Sequence, residues 1–250
     1  MVEFKAALTN EIEKLYKRKK VLVAVIISLI FIIIGQLSMV VLRTGFGLRG
    51  VSSMEFPMLV LSVVVNTIFP LFTALVTIES FSGEFSQNTM KIAIARPISR
   101  FKFYAAKLTA IMLFILANLL FVMVFSIIAG CLFNSNSFTF SSFIKILISY
   151  LVTLLPMVIL SIIIAFFANI IRSGIGVFFL SIFMFAIFKG LGIIFYRFSG
   201  VFITSMMSWY TLYVMDTVPI FKIFLQFMMM ISYGIIFFTA GYYIFDNKEF

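Results

Sequence analysis

The sequence predicts an all-α integral membrane protein with six transmembrane helices, and three observations predict it. Mean hydropathy is +1.21, 63% of residues are hydrophobic and only 11% are charged, where soluble domains carry about 25%. Several apolar runs reach the roughly 20 residues that a helix needs to cross a bilayer. No alternating strand pattern appears, and in hydrocarbon only helices and closed barrels satisfy their own backbone hydrogen bonds. The whole chain, residues 1–250, reads as one six-span domain.

The elements follow in order. Residues 1–20 carry Phe4, Leu8, Ile12 and Leu15 at helical spacing, with Glu11, Lys14, Lys17 and Arg18 occupying the rest of the surface. This predicts an amphipathic helix lying on the membrane, its polar face in water. The run Val21–Leu42 is too long for a signal-peptide core and has no small-residue cleavage site after it, so it is expected to stay as span one. Span two, from about Pro57 to Ile78, completes residues 21–78, and residues 79–107 are a long polar segment. Residues 108–188 hold spans three to five, near Leu108–Phe133, Ile146–Ala168 and from Ile175, with Pro156 tolerated inside the fourth.

The pattern changes over residues 189–220, where two apolar pieces, each too short to cross, are separated by Ser199 and Gly200. Trp209, Tyr210 and Tyr213 are amphipathic rings that favour the headgroup level. Two short helices dipping into or lying on the outer leaflet are expected. A crossing by Val201–Met215 is the rival reading and would place the C-terminus outside. Residues 221–250 supply span six, to about Phe245, and a short tail.

Six spans with both termini in the cytoplasm put thirteen Lys or Arg inside and six outside, which agrees with the positive-inside rule. The net charge of +10 therefore records orientation in a cell membrane rather than a nucleic-acid partner. There is no histidine, and Cys131 is the single cysteine. That excludes an internal disulfide, Ser-His-Asp and Cys-His catalysis and the usual zinc sites; neither a catalytic residue nor a metal ligand is expected. The stretch "GFGLRG" (Gly45–Gly50) matches a dinucleotide fingerprint but follows a membrane span instead of a strand, so it reads as an external turn. No Walker A sequence exists, so the chain has no ATPase motif of its own. No carboxylate falls near the middle of a span, which counts against ion-driven transport. Among the polar residues within spans, Asn66, Asn118 and Gln226 are candidate pathway contacts, hydrogen bonding between helices being their default role.

The segment from Ser80 to Lys107 differs in kind. It spans about 28 residues where the other inner loop has about six, and contains five Lys or Arg; long loops usually carry function. Pro97 suits the first turn of a new helix, and Arg100 and Lys107, seven residues apart, share one face of it. Glu84, Lys91, Arg96 and Lys102 add exposed charge. Glu84, Thr89 and Met90, then Pro97, Ile98, Ser99 and Arg100, then Lys107 follow the pattern E-x-x-x-G-T-L, P-[IV]-S-R and a further Lys. In these residues the chain resembles the permease subunit of type-2 ATP-binding-cassette (ABC) exporters. The departure is Asn88 in place of Gly, and Asn tolerates a left-handed turn. The layout of surface helix, six spans, long first inner loop and broken outer segment extends the resemblance over the whole chain. Bacitracin- and lantibiotic-resistance permeases are similar in size and layout.

The resemblance implies a coupling helix in residues 79–107, with Gly83, Glu84, Asn88, Thr89, Lys91, Pro97, Arg100 and Lys107 as the coupling residues. It implies two copies of a separate ATPase subunit that bind ATP and Mg, while this chain binds no cofactor. It also implies a second permease subunit, identical or different, and a brace formed by the N-terminal helix. An apolar or amphipathic cargo, such as a peptide antibiotic, lipid or drug, is the expected substrate. A sodium-exporting ABC permease and a non-transporting membrane sensor or scaffold are the alternatives.

Overall fold

A computed structural model of the chain describes residues 2–17, 19–46, 52–86, 98–134, 139–171, 173–195, 200–215 and 217–248. The elements are α1 (Val2–Lys17), α2 (Lys19–Phe46), α3 (Glu55–Asn66), α4 (Ile68–Ser86), α5 (Arg100–Phe133), α6 (Phe140–Ile170), α7 (Gly174–Ile194), the single turn α8 (Ile203–Met206), a 3-10 turn at Trp209–Tyr213, and α9 (Ile220–Asp246). Helices α2, α5, α6, α7 and α9 are each long and apolar enough to cross a membrane, and α3 with α4 makes a sixth candidate, bent by 49°.

The expected second span thus corresponds to this bent pair, and the cause of the bend is local. Pro70 has no N–H to give the Asn66 carbonyl four residues before it. The Thr67 N–H turns to Val64 O instead of Val63 O. Thr67 Oγ1 donates at 2.6 Å to Val63 O, the carbonyl that Thr67 N leaves, and Asn66 Nδ2 adds a bond to Ser62 O at 2.9 Å. Lys189 Nζ, from α7, donates to Asn66 O at 3.3 Å. Buried backbone groups need partners, and this break is almost fully supplied with them.

Helix α6 is the centre of the bundle and packs against α4, α5 and α9. Its Met157, Ala165 and Ala168 are fully buried, as are Leu61 of α3 and Ile111 and Ile115 of α5. By contrast, Val177 is the only buried residue of α7, and most of α2 and α9 faces outward. Lipid gives apolar faces no reason to hide, so helices approach through small residues. Gly130 of α5 shows this best: an ideal Cβ there would land on the carbonyl oxygen of Ser53. Ser52 and Glu55 hold that turn by exchanging hydrogen bonds, Ser52 N to Glu55 Oε2 at 2.9 Å and Glu55 N to Ser52 Oγ at 3.3 Å. We expect Gly130→Ala to destabilise the fold by about 1–3 kcal/mol, seen as a lower thermal midpoint in detergent; an unchanged midpoint would contradict the close approach.

Contacts sort the helix ends into two groups. At one end lie α1, the end of α4, the start of α5, and the ends of α6 and α9. Ser82 Oγ donates to Ala168 O at 3.3 Å, and Lys248 Nζ to Asn169 O at 2.7 Å. At the other end, Gln36 Nε2 donates to Asn134 Oδ1 at 3.0 Å and Tyr150 Oη to Pro57 O at 3.0 Å. Here also sit α8 and the 3-10 turn, which are too short to cross. Trp209 and Tyr210 are only 4% and 3% exposed, so both rings are packed within the protein. Trp209 stacks on Phe227 of α9 at 6.3 Å and packs with Ile159 and Met230.

Candidate functional site

Helix α5 has 34 residues and is therefore roughly 50 Å long, against a hydrocarbon core of roughly 30 Å. Its first turns, from Arg100 to Lys107, are the charged part. The helix starts three residues later than expected: Ser99 is the cap and its hydroxyl accepts from Lys102 N at 3.4 Å. Pro97 lies outside the described residues, as do Asn88, Thr89 and Lys91.

Lys107 is fully buried. Its Nζ donates to Glu11 Oε2 of α1 at 2.9 Å and to Ser80 O of α4 at 2.9 Å. It stands 4.8 Å from the Phe103 ring centroid and 5.9 Å from that of Phe81, within cation–π range. One ammonium thus ties three elements together. Glu11 is 3% exposed, and Lys14 donates to its other oxygen at 2.8 Å. This corrects the expectation that Glu11 lies on the wet face of the N-terminal helix. The buried stripe is Ala7, Glu11 and Leu15, while Ile12 is 39% exposed. A carboxylate takes the inner face because α5 brings a lysine to meet it.

Burial raises the Glu11 carboxyl, but the charge and hydrogen bond of Lys107, followed by those of Lys14, outweigh it and hold the group below its ordinary 4.5. A carboxyl lowered on folding contributes stability that is complete above the unfolded value and lost as pH falls through the folded one. Hydrogen exchange of α1 amides should therefore stay slow from neutral pH down to about 4.5 and accelerate below it. Glu11→Gln should flatten that acid limb; an equal limb in both proteins would contradict the assignment.

Two further contacts complete the end. Lys102 Nζ meets Glu3 Oε2 at 2.8 Å, with both side chains about half exposed, a pair of small energetic weight. The Lys102 hydrogen bond holds the Glu3 carboxyl below its usual value. Arg100 donates to the carbonyls of Asp246 and Lys248, fastening the C-terminal end of α9 to the start of α5. Of the other coupling candidates, Gly83 is half-buried near the end of α4, and Glu84 is described by its backbone alone, in the last turn of that helix. Arg100 and Lys107 are thus both engaged inside the chain, with different partners: the C-terminal end of α9 for Arg100, α1 and α4 for Lys107.

The pathway candidates are not brought together. Asn66 is half-buried at the α3–α4 break, and Gln226, in α9, is buried, its Oε1 without a hydrogen-bond partner among the described residues. Asn118 is buried on α5 beside Ser28 and lines a groove against α1 and α2. A second cavity of about 770 Å3 at the opposite end is lined by Glu55, Lys145 and Tyr210 among others, and none of the three candidates borders it.

Sequence reasoning placed Glu11, Ser80, Asn169 and Lys248 at this end but missed the contacts that they make there. A signal existed for the first: Lys107 sits in the run Phe103–Met112, where every neighbour but Thr109 is apolar or aromatic, and a lysine so placed requires a partner.

The family model described as ABC-2 family transporter protein matches residues 7–188. The chain belongs to the ABC-2 transporter family. The matched region contains Glu11, the end of α4 and the start of α5, so both partners of the buried ion pair fall inside it. ABC-2 permeases are membrane subunits distinct from the ATPase, and the family usually works with an ATPase partner. The chain matches no curated protein. As an ABC-2 permease it is a multi-pass membrane protein.

Proposed function

We propose that this ABC-2 permease forms the translocation pathway of an ATP-driven exporter, with residues 79–107 as the cytoplasmic contact for a separate ATPase subunit. The observation that carries the reading is the Lys107 node. The segment between α4 and α5 emerges from two helices that Lys107 joins to each other, through Ser80 O, and to α1, through Glu11. A push on that segment would move α1, α4 and α5 as one block, because a buried ion pair and packed helices resist bending locally. Two permeases and two ATPases would complete the transporter, with ATP and Mg held by the ATPases. Transport then requires that the cargo bind the inward and outward states with different affinity. The described helices place no carboxylate in mid-span, so an apolar or amphipathic cargo suits the pathway, a peptide antibiotic, lipid or drug among them. The likeness in size and layout to bacitracin- and lantibiotic-resistance permeases supports that choice of cargo.

The test is co-purification with the ATPase after reversing Glu84→Lys and Arg100→Glu together. The proposal expects loss of most bound ATPase and of its stimulated hydrolysis. Arg100 also holds the C-terminal end, so a chain lacking residues 247–250 serves as control and should keep its ATPase. An unaltered complex in the double reversal would sink the contact.

A further inference from the structure

The cavity at the end opposite to Lys107 combines both signs of charge with apolar surface. It encloses about 770 Å3, within the range of ligand pockets, roughly 300–1,000 Å3. Glu55, Met58 and Leu59 line it from α3, and Ser142, Lys145 and Ile146 from α6. Each set is spaced i, i+3, i+4, so its side chains share one face of their helix. The 3-10 turn adds Tyr210 and Thr211.

The two charges stand on separate walls at similar height. Glu55 opens α3 and Lys145 lies in the second turn of α6, and Tyr150, further along α6, donates to Pro57 O, just past Glu55. Lys145 forms no ion pair with a described carboxylate, so its ammonium is not spent within the chain. Depth then says which kind of molecule meets it. Helix α6 has 31 residues and is roughly 46 Å long, about the thickness of a bilayer with both headgroup layers, roughly 40–45 Å. Its first two turns therefore pass through the headgroup layer at this end. Met58 and Leu59, one turn of α3 beyond Glu55, continue the wall toward the hydrocarbon.

We infer that this cavity holds the headgroup of a zwitterionic phospholipid with a primary amine, its phosphate beside Lys145, its ammonium beside Glu55 and the start of an acyl chain along Met58 and Leu59. A primary ammonium gives Glu55 charge-assisted hydrogen bonds, which a trimethylammonium without N–H cannot. A phosphate headgroup with no amine serves Lys145 but brings a second negative charge toward Glu55. The hydroxyls of Ser142 and Thr211 are donors for the remaining phosphate oxygens. The lipid touches α3, α6 and the 3-10 turn together, so its binding favours the state in which the three are close. The inference needs the chain to be membrane-embedded but does not need the ATPase contact, and it is tested without ATPase or nucleotide.

The purified full-length permease, delipidated in detergent, is given an equimolar mixture of dioleoyl phosphatidylethanolamine, phosphatidylcholine and phosphatidylglycerol, and bound lipid is counted by native mass spectrometry. The ethanolamine lipid should be retained about two- to fivefold over each of the others, the ratio one partly exposed charged contact supplies. Glu55→Gln, whose amide oxygen can still accept from Ser52 N, should erase that preference. Lys145→Gln should lower retention of all three lipids by a similar factor. Both positions are exposed, so neither change empties the core. A large excess of O-phosphoethanolamine, the headgroup without chains, should leave the lipid in place. Its displacement of the lipid would make the occupant a soluble zwitterion and overturn the inference. Equal retention of the three lipids, an ethanolamine preference that survives Glu55→Gln, or retention untouched by Lys145→Gln would overturn it as well.

Discussion

Glu11→Leu is expected to lower the stability of the permease by about 3–5 kcal/mol, since it strips the carboxylate from an ammonium with no access to solvent. Lys107→Met should cost less, because Glu11 retains Lys14 at 2.8 Å. The double variant, Glu11→Leu with Lys107→Met, should recover most of the loss. An apolar pair of similar volume can match or exceed a buried ion pair, whose Coulombic gain is spent largely on desolvation. The measurement is a double-mutant cycle on thermal midpoints in one detergent, with a coupling of at least about 1 kcal/mol required for contacting groups. Additive losses would show that the two side chains do not meet. If the node also transmits force, the double variant should be stable yet transport poorly, for its block of helices would be held by packing without the directional bonds to Glu11 and Ser80.

The helices were largely legible in the sequence because lipid imposes a simple requirement. Runs such as Val21–Leu42 and Phe221–Phe245 announce themselves by length and lack of charge alone. The second span was not fully legible: Asn66, Thr67 and Pro70 were in view, but proline inside a membrane helix does not by itself tell a tolerated kink from a break. Pro156 stands inside an unbroken α6, whereas Pro70 lies three residues past the junction at Thr67. The difference lies in the neighbours that supply the freed carbonyls, and Lys189, 123 residues away, cannot be found by local inspection.

The candidate site was legible as a segment and not as a set of contacts. The charges of residues 79–107 and their spacing marked the place, but reading Arg100 and Lys107 as one exposed face required that both point to water. Lys107 points instead to a carboxylate 96 residues earlier. Glu11 was assigned to the polar face because an amphipathic pattern counts every carboxylate as solvent-facing. The packing of Trp209 was not legible either: its amphipathic ring suits an interface on its own, and its place in a cluster formed by α6, α8 and α9 depends on residues distant in sequence.

The account depends on one end of the bundle, the one holding α1, residues 79–107 and the chain's C-terminal end, facing the cytoplasm where an ATPase can reach it. Single thiols placed in a Cys131→Ser background test this directly, with Lys91→Cys in the long segment and Ser141→Cys at the exposed start of α6, on the opposite end. A membrane-impermeant maleimide is applied to intact cells and, separately, to inverted vesicles. The thiol at position 91 should react in vesicles and stay unmodified in cells, and the thiol at position 141 should do the reverse. Labelling of position 91 in intact cells would put the segment on the wrong side of the membrane and contradict the coupling role outright.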